Sequence, residues 1–214
     1  YTYKDLDLLS DLWALYFKQK EIGHGDRVAL LASNRAEHII LLLACAKLKI
    51  IFVPLNYKLV DHELLKIVSK VDPKLLLTVK RDLKCHKYTS VCLNQSVKSV
   101  LDMKQDICLK RDDWSSLDDP ILMLFTSGST GDPKGILLHG KMLYTNQVET
   151  SRSWELKATD ITLVETPFFH TGGYNVLCLP LLYLGGTVIL APKFDLGNFY
   201  LTLAQQQISV YFAV

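Results

Sequence analysis

Between two apolar stretches, the residues Thr126-Ser127-Gly128-Ser129-Thr130-Gly131-Asp132-Pro133-Lys134-Gly135 concentrate four hydroxyls, three glycines and one lysine in ten positions. That composition suits a polyanion. Glycines let backbone N–H groups converge into a concave nest, hydroxyls add donors, and Lys134 brings a mobile ammonium to the exit. Ser, Thr and Gly also cluster in any flexible turn. Two details favour chemistry: the segment joins two apolar strands rather than domains, and Pro133 stiffens the approach to Lys134. It is not a Walker loop, which places glycine directly before the lysine and Ser or Thr directly after it. Nor is Ser127 or Ser129 flanked by glycines on both sides at the spacing of a nucleophile elbow.

A second constellation is Pro167-Phe168-Phe169-His170-Thr171-Gly172-Gly173. A lone histidine beside apolar residues is commonly a core residue, but the glycine pair after His170 leaves room for a ligand. Phe168, Phe169, Tyr174 and Asn175 can touch the same ligand or belong to the core. His139, after Ile136-Leu137-Leu138, reads as structural.

The elements that must carry these segments follow from hydrophobic patterning. Thr2 and Asp5 have the spacing of a capping box before an amphipathic helix reaching Lys20. Apolar runs at Val28–Ala32, Ile50–Val53, Leu75–Val79, Ile121–Phe125, Ile136–His139 and Ile161–Val164 predict strands, the second stopping at Pro54. They alternate with helical stretches from Asn34 to Ala46, from Asp61 (as N-cap) to Val68, after His139, and from Leu196 to Gln206. Continuous apolar strands alternating with helices predict an α/β fold, a mostly parallel sheet flanked by helices. Between Lys80 and Asp119 the pattern weakens, with one short strand around Val91–Leu93, and a seam between two lobes is expected near 80–120. Tyr174–Pro192 has no formal charge over nineteen residues. Pro180 and Gly185-Gly186 interrupt it, so a buried helix, a glycine turn and a buried strand are expected rather than a transmembrane segment.

The 214 residues carry 24 Lys and Arg against 22 Asp and Glu, and the scattered charge offers no basic stripe for a nucleic acid. Five cysteines without a CxxC pair, two of them (Cys45 and Cys178) inside apolar runs, point to a reducing, cytoplasmic compartment and no structural zinc. Tyr1 in place of a start methionine, and an apolar run Ile208–Val214 with no turn after it, predict a fragment cut inside a strand.

Leu124 to Gly135 resembles the phosphate-loop motif of the adenylate-forming acyl-CoA synthetases. Gly25-Asp26-Arg27-Val28-Ala29-Leu30, Asn34, Phe52-Val53-Pro54-Leu55-Asn56 with Glu63, the His170 block and Gly185-Gly186-Thr187-Val188 resemble further signatures of that family, in order and spacing. Lys49 stands where members commonly have glycine, and Phe125 where they have tyrosine. The resemblance implies that residues 1–214 form the N-terminal portion of the AMP-binding large domain. It implies ATP, Mg²⁺ and coenzyme A as cofactors and co-substrates, a small-molecule carboxylic acid as substrate, and leaves a homodimer open. It further implies that Thr126, Ser127, Gly128, Ser129, Thr130, Gly131 and Lys134 cradle the β- and γ-phosphates. Lys134 and His170 would be the catalytic side chains, and His170, Thr171, Gly172 and Gly173 would line the acyl pocket. Amino-acid-activating relatives place an aspartate in the His170 block, so a fatty, aryl or succinylbenzoate-type acid is expected. The family's adenine platform, ribose carboxylate, Mg²⁺-binding glutamate and C-terminal lysine would lie beyond Val214, leaving the fragment alone without turnover. The alternatives are a nucleotide or acyl-adenylate binding module without turnover and a partner-binding domain that kept the fold; the intact Lys134 speaks against the second.

Overall fold

The computed structural model describes residues 1–79, 90–102, 117–126 and 132–213. The chain forms two compact units: residues 1–32 with 37–140, and residues 33–36 with 141–214.

The first unit is built on a sheet whose strands are β1 (Arg27–Leu31), β2 (Ile51–Leu55), β3 (Leu75–Thr78), β4 (Ser90–Cys92), β5 (Pro120–Thr126) and β6 (Lys134–His139). Their order is β4-β3-β1-β2-β5-β6, with every pair parallel except β5 and β6, which form an antiparallel hairpin. Helices cover the faces. The apolar stripe Leu64, Ile67, Val68 and Val71 of α3 (Asp61–Val71) packs on Ala29, Leu31, Ile51, Val53 and Leu55, alternate residues of neighbouring strands. Phe52 points the other way and meets His38 of α2 (Glu37–Lys47) edge-on, with ring centroids 6.3 Å apart. Against α2 packs α1 (Tyr3–Gln19), which buries Leu12, Trp13, Tyr16 and Phe17 and opens on the expected capping box. The Thr2 hydroxyl accepts the Asp5 N–H at 3.2 Å while the Asp5 carboxylate accepts the Thr2 N–H at 2.7 Å.

Several features depart from the sequence reading. Strand β2 runs through Pro54 to Leu55. Ile51 N–H donates to Asp26 O, so odd-numbered residues of β2 address β1 and the missing N–H of Pro54 falls on the β5 side. There the ladder is limited to Phe52 and Leu122, and little is lost. Asp61 is not the N-cap of α3; Val60 holds that place, and Asp61 and Glu63 put carboxylates in the first turn, where the helix dipole favours them. Finally, Leu93–Asp102 is a helix, α4, in a region that reads as mixed polar sequence; it buries only Leu93, Ser96 and Val100.

The second unit holds a parallel sheet ordered β8-β7-β9, from β7 (Ile161–Val164), β8 (Thr187–Leu190) and β9 (Val210–Tyr211). Helix α5 (Gly140–Ser153) leads into it. The uncharged stretch becomes α6 (Thr171–Asn175), α7 (Cys178–Leu184) and β8, with Gly185 at φ +90° ending α7 in the left-handed conformation that glycine adopts without penalty. At the sheet edge, β8 is only partly covered, not buried as expected. Helix α8 (Leu196–Gln206) starts where the Asp195 side chain accepts the Asn198 N–H at 2.9 Å. Among the described residues no helix is long and apolar enough to cross a membrane.

Candidate active site

The hydroxyl- and glycine-rich segment links the two strands of the β5–β6 hairpin. Strict pairing from Leu122↔Leu138 through Leu124↔Ile136 places Thr126 directly opposite Lys134 at the open end. Both side chains are exposed, and the Lys134 ammonium has no hydrogen-bond or ion-pair partner among the described residues. Strand pairing thus sets the lysine at the mouth of the connection, opposite a threonine, with its charge uncommitted among the described residues. Ser127, Gly128, Ser129, Thr130 and Gly131 lie outside the described residues.

The exit of the segment is tied from a helix. Lys70, in the last turn of α3, donates to the Asp132 carboxylate at 2.5 Å and to the Pro133 carbonyl at 3.0 Å. Sequence reasoning gives no hint of this contact, because Lys70 reads as an ordinary solvent-face lysine 62 residues away. One early signature residue, Arg27, serves the same helix. Arg27 donates through Nε to the Val71 carbonyl at 2.8 Å, and Asp26 accepts the Gly23 N–H at 2.8 Å. The Arg27 contact braces the end of α3 that carries Lys70, and the Asp26 contact closes the turn before β1.

In the second unit, the segment after β7 is held by Asn34. Its side-chain amide donates to the Thr166 carbonyl at 2.9 Å and its amide oxygen accepts the Phe168 N–H at 3.0 Å. Asn34 is 4% exposed, and these contacts span more than 130 residues of sequence. Below this clamp the chain turns, His170 N–H donating to Pro167 O at 3.0 Å, and His170 becomes the N-cap of α6. The imidazole is exposed, with its ring centroid 4.5 Å from that of buried Phe169.

Phe168, Phe169 and Tyr174 are core side chains, the Phe168 and Tyr174 rings 4.5 Å apart. Gly173 answers a need of the chain itself, since a Cβ there would stand 2.6 Å from the Pro167 carbonyl oxygen. Gly172 is less confined, the nearest atom being Thr166 Cγ2 at 3.2 Å. The Thr171 hydroxyl accepts a hydrogen bond from Asn175 Nδ2 at 2.9 Å. Beneath the turn, Glu165, also buried, accepts the Tyr211 hydroxyl at 2.9 Å, and burial followed by this contact pushes the Tyr211 phenol up to about 12. His139, the last residue of β6, pairs with Pro120 of β5.

Burial pushes the Cys45 and Cys178 thiols up, which keeps them protonated as small core hydrophobes. Cys92 is also a free thiol; Cys85 and Cys108 lie outside the described residues. Among the described residues no cluster of three or more His, Cys, Asp or Glu side chains stands where it can hold a metal ion.

The family described as AMP-binding enzyme matches residues 1–214. The indoleacetate–CoA ligase of Aromatoleum aromaticum is 31% identical over 223 residues, covering 98% of this chain and 44% of that protein. The feruloyl-CoA synthase of an Amycolatopsis species is 34% identical over 218 residues, covering 100% and 43%. Among solved structures, the o-succinylbenzoate CoA synthetase of Bacillus subtilis, in complex with its acyl-adenylate intermediate, superposes with a TM-score of 0.84 at 25% identity, covering 99% of this chain and 55% of that one. The chain spans less than half the length of the two curated relatives. Matched from its first residue to its last, and folded as its solved relative is, the chain belongs to the AMP-binding enzyme family.

Proposed function

We propose that the complete protein is an AMP-forming acid–thiol ligase acting on an aryl-bearing carboxylic acid. The observation that carries this reading is the uncommitted Lys134 opposite Thr126 at the mouth of the hairpin. In the first step a carboxylate oxygen attacks the α-phosphorus of Mg·ATP, the bond to the β-phosphate breaks, and pyrophosphate leaves with its electron pair. In the second the thiol of coenzyme A attacks the acyl carbon, gives up its proton, and AMP departs. The obstacle in the first step is an anion approaching a polyanion, so the protein's work is positioning and charge stabilisation. Thr126, Ser127, Gly128, Ser129, Thr130, Gly131 and Lys134 supply amide, hydroxyl and ammonium donors to the β- and γ-phosphates. Mg²⁺ enters with ATP as part of the substrate.

His170, with Thr171, Gly172 and Gly173, faces the acid. The relatives named for indoleacetate and ferulate, and the one holding an o-succinylbenzoyl adenylate, support an aromatic acid over a simple fatty acid. On this reading the partners are small molecules rather than nucleic acid. The free thiols fit a reducing, cytoplasmic setting.

The test is pyrophosphate release by the complete protein across indoleacetate, ferulate, 2-succinylbenzoate and a fatty acid, with and without coenzyme A. Lys134→Ala is expected to lower adenylation roughly 100-fold, the loss typical of one transition-state donor, without unfolding the protein. His170→Ala is expected to raise the KM for the acid more than that for ATP. No release with any acid would instead favour a module that binds nucleotide or acyl-adenylate without turnover.

A further inference from the structure

The hairpin connection has a charge problem. Thr126–Gly135 carries one acid, Asp132, and one base, Lys134, so its formal charge is zero, and the acid sits two residues before the lysine that must meet a polyanion. Left to itself, the Asp132 carboxylate would compete with any phosphate for the Lys134 ammonium. It is not left to itself: Lys70 of α3 takes the Asp132 carboxylate at 2.5 Å and the Pro133 carbonyl at 3.0 Å. Lys134 is left without a polar partner among the described residues.

We infer that Lys70 is a positioning residue for nucleotide binding: it sequesters Asp132 and so keeps Lys134 available. This rests on the phosphate-binding reading above. The pair is exposed, Lys70 by 40% and Asp132 by 66%, so its contribution to fold stability is small. Its effect is on which cation is free. Lys70 also raises the formal charge around the segment from zero to +1, the sign an incoming polyphosphate requires.

The experiment uses the complete protein as wild type, Lys70→Met, Lys70→Arg, Asp132→Asn and the double variant Lys70→Met/Asp132→Asn. The first readout needs no ligand: the rate at which an amine-reactive ester labels Lys134, followed by mass spectrometry. Lys70→Met is expected to slow it by roughly twofold to fivefold, the range of an exposed ion pair, while the double variant and Lys70→Arg recover the wild-type rate. The second readout is the KM for ATP in pyrophosphate release, or the Kd for Mg·ATP if there is no turnover. It is expected to rise roughly fivefold in Lys70→Met and return to within about twofold in the double variant, with the KM for the acid unmoved. A double variant as impaired as Lys70→Met would overturn the inference, because it would leave only anchoring of the Pro133 carbonyl. Wild-type labelling of Lys134 in Lys70→Met would overturn it too. A wild-type protein that fails to bind Mg·ATP would overturn the functional reading, and the labelling series separates that failure from one of the Lys70 role.

Discussion

Replacing Asn34 by alanine should release the turn that carries His170 without unfolding the protein. The substitution removes both hydrogen bonds of the clamp and takes the Asn34 acceptor from the buried Phe168 N–H, beside a half-buried Thr166 carbonyl that water can reach. Taking the side-chain acceptor from a buried donor costs about 1–3 kcal/mol and a lost bond to a partly wet carbonyl about 0.5–1 kcal/mol, so local opening should become easier by roughly 2 kcal/mol. At about 1.4 kcal/mol per factor of ten, that is a roughly 30-fold faster hydrogen exchange at the Phe168 amide. Amides of β1 and β2 should be unaffected. Asn34→Asp keeps the acceptor for Phe168 but sets a carboxylate oxygen against the Thr166 carbonyl, so Phe168 should keep more of its protection than in the alanine variant. The assay is amide hydrogen–deuterium exchange, resolved to peptides covering 165–170, in the complete protein. Exchange at Phe168 within about threefold of wild type in Asn34→Ala would refute the reasoning, since a change that small is worth less than one buried hydrogen bond.

Two further predictions concern strain and pH. Lys49 has φ +60°, a conformation costing about 1–2 kcal/mol with a Cβ, while glycine forfeits about 0.5–1 kcal/mol of chain entropy; Lys49→Gly should therefore stabilise the protein by about 0.5–1 kcal/mol, and a lower denaturation midpoint in urea would contradict this. The Tyr211 phenol, raised from 10.0 to about 12, stabilises the folded state fully below pH 10 and loses that contribution as pH climbs toward 12. Tyr211→Phe should cost about 1 kcal/mol at neutral pH and flatten the alkaline limb of a stability–pH curve; an unchanged limb would show that another group causes the loss.

The legible parts of the fold are those set by local pattern. Strand β7 appears over Ile161–Val164, where an unbroken apolar run lies between polar flanks, and the Thr2–Asp5 capping box works because its partners are three residues apart. Where pattern misleads, the cause is a partner elsewhere. Pro54 stays in its strand because the neighbouring ladder has ended, and α4 has too few apolar residues to show a helical period. In the site, the type and spacing of Thr126 and Lys134 are visible in sequence, and hairpin register turns that spacing into opposition. The supports are not visible. Asn34 stands out in sequence as a signature position ahead of a helix, but not for what it holds, and Lys70 reads as one lysine among many, because each one's partner comes from a distant part of the chain. Gly173 shows the same in reverse: at a glycine that suggests space for a ligand, the chain's own backbone passes close by.

The hairpin also sets where this chain can tolerate change. A parallel pair must be joined by a crossover of about a dozen residues or more, whereas β5 and β6 reverse on themselves, so strand register alone sets Thr126 opposite Lys134. A single residue lost from within β6 is a different event. It would shift the pairing by one step and send Lys134 to the opposite face of the sheet. A deletion within β6 is the change this placement cannot absorb, because the position of Lys134 depends on every paired residue between it and His139.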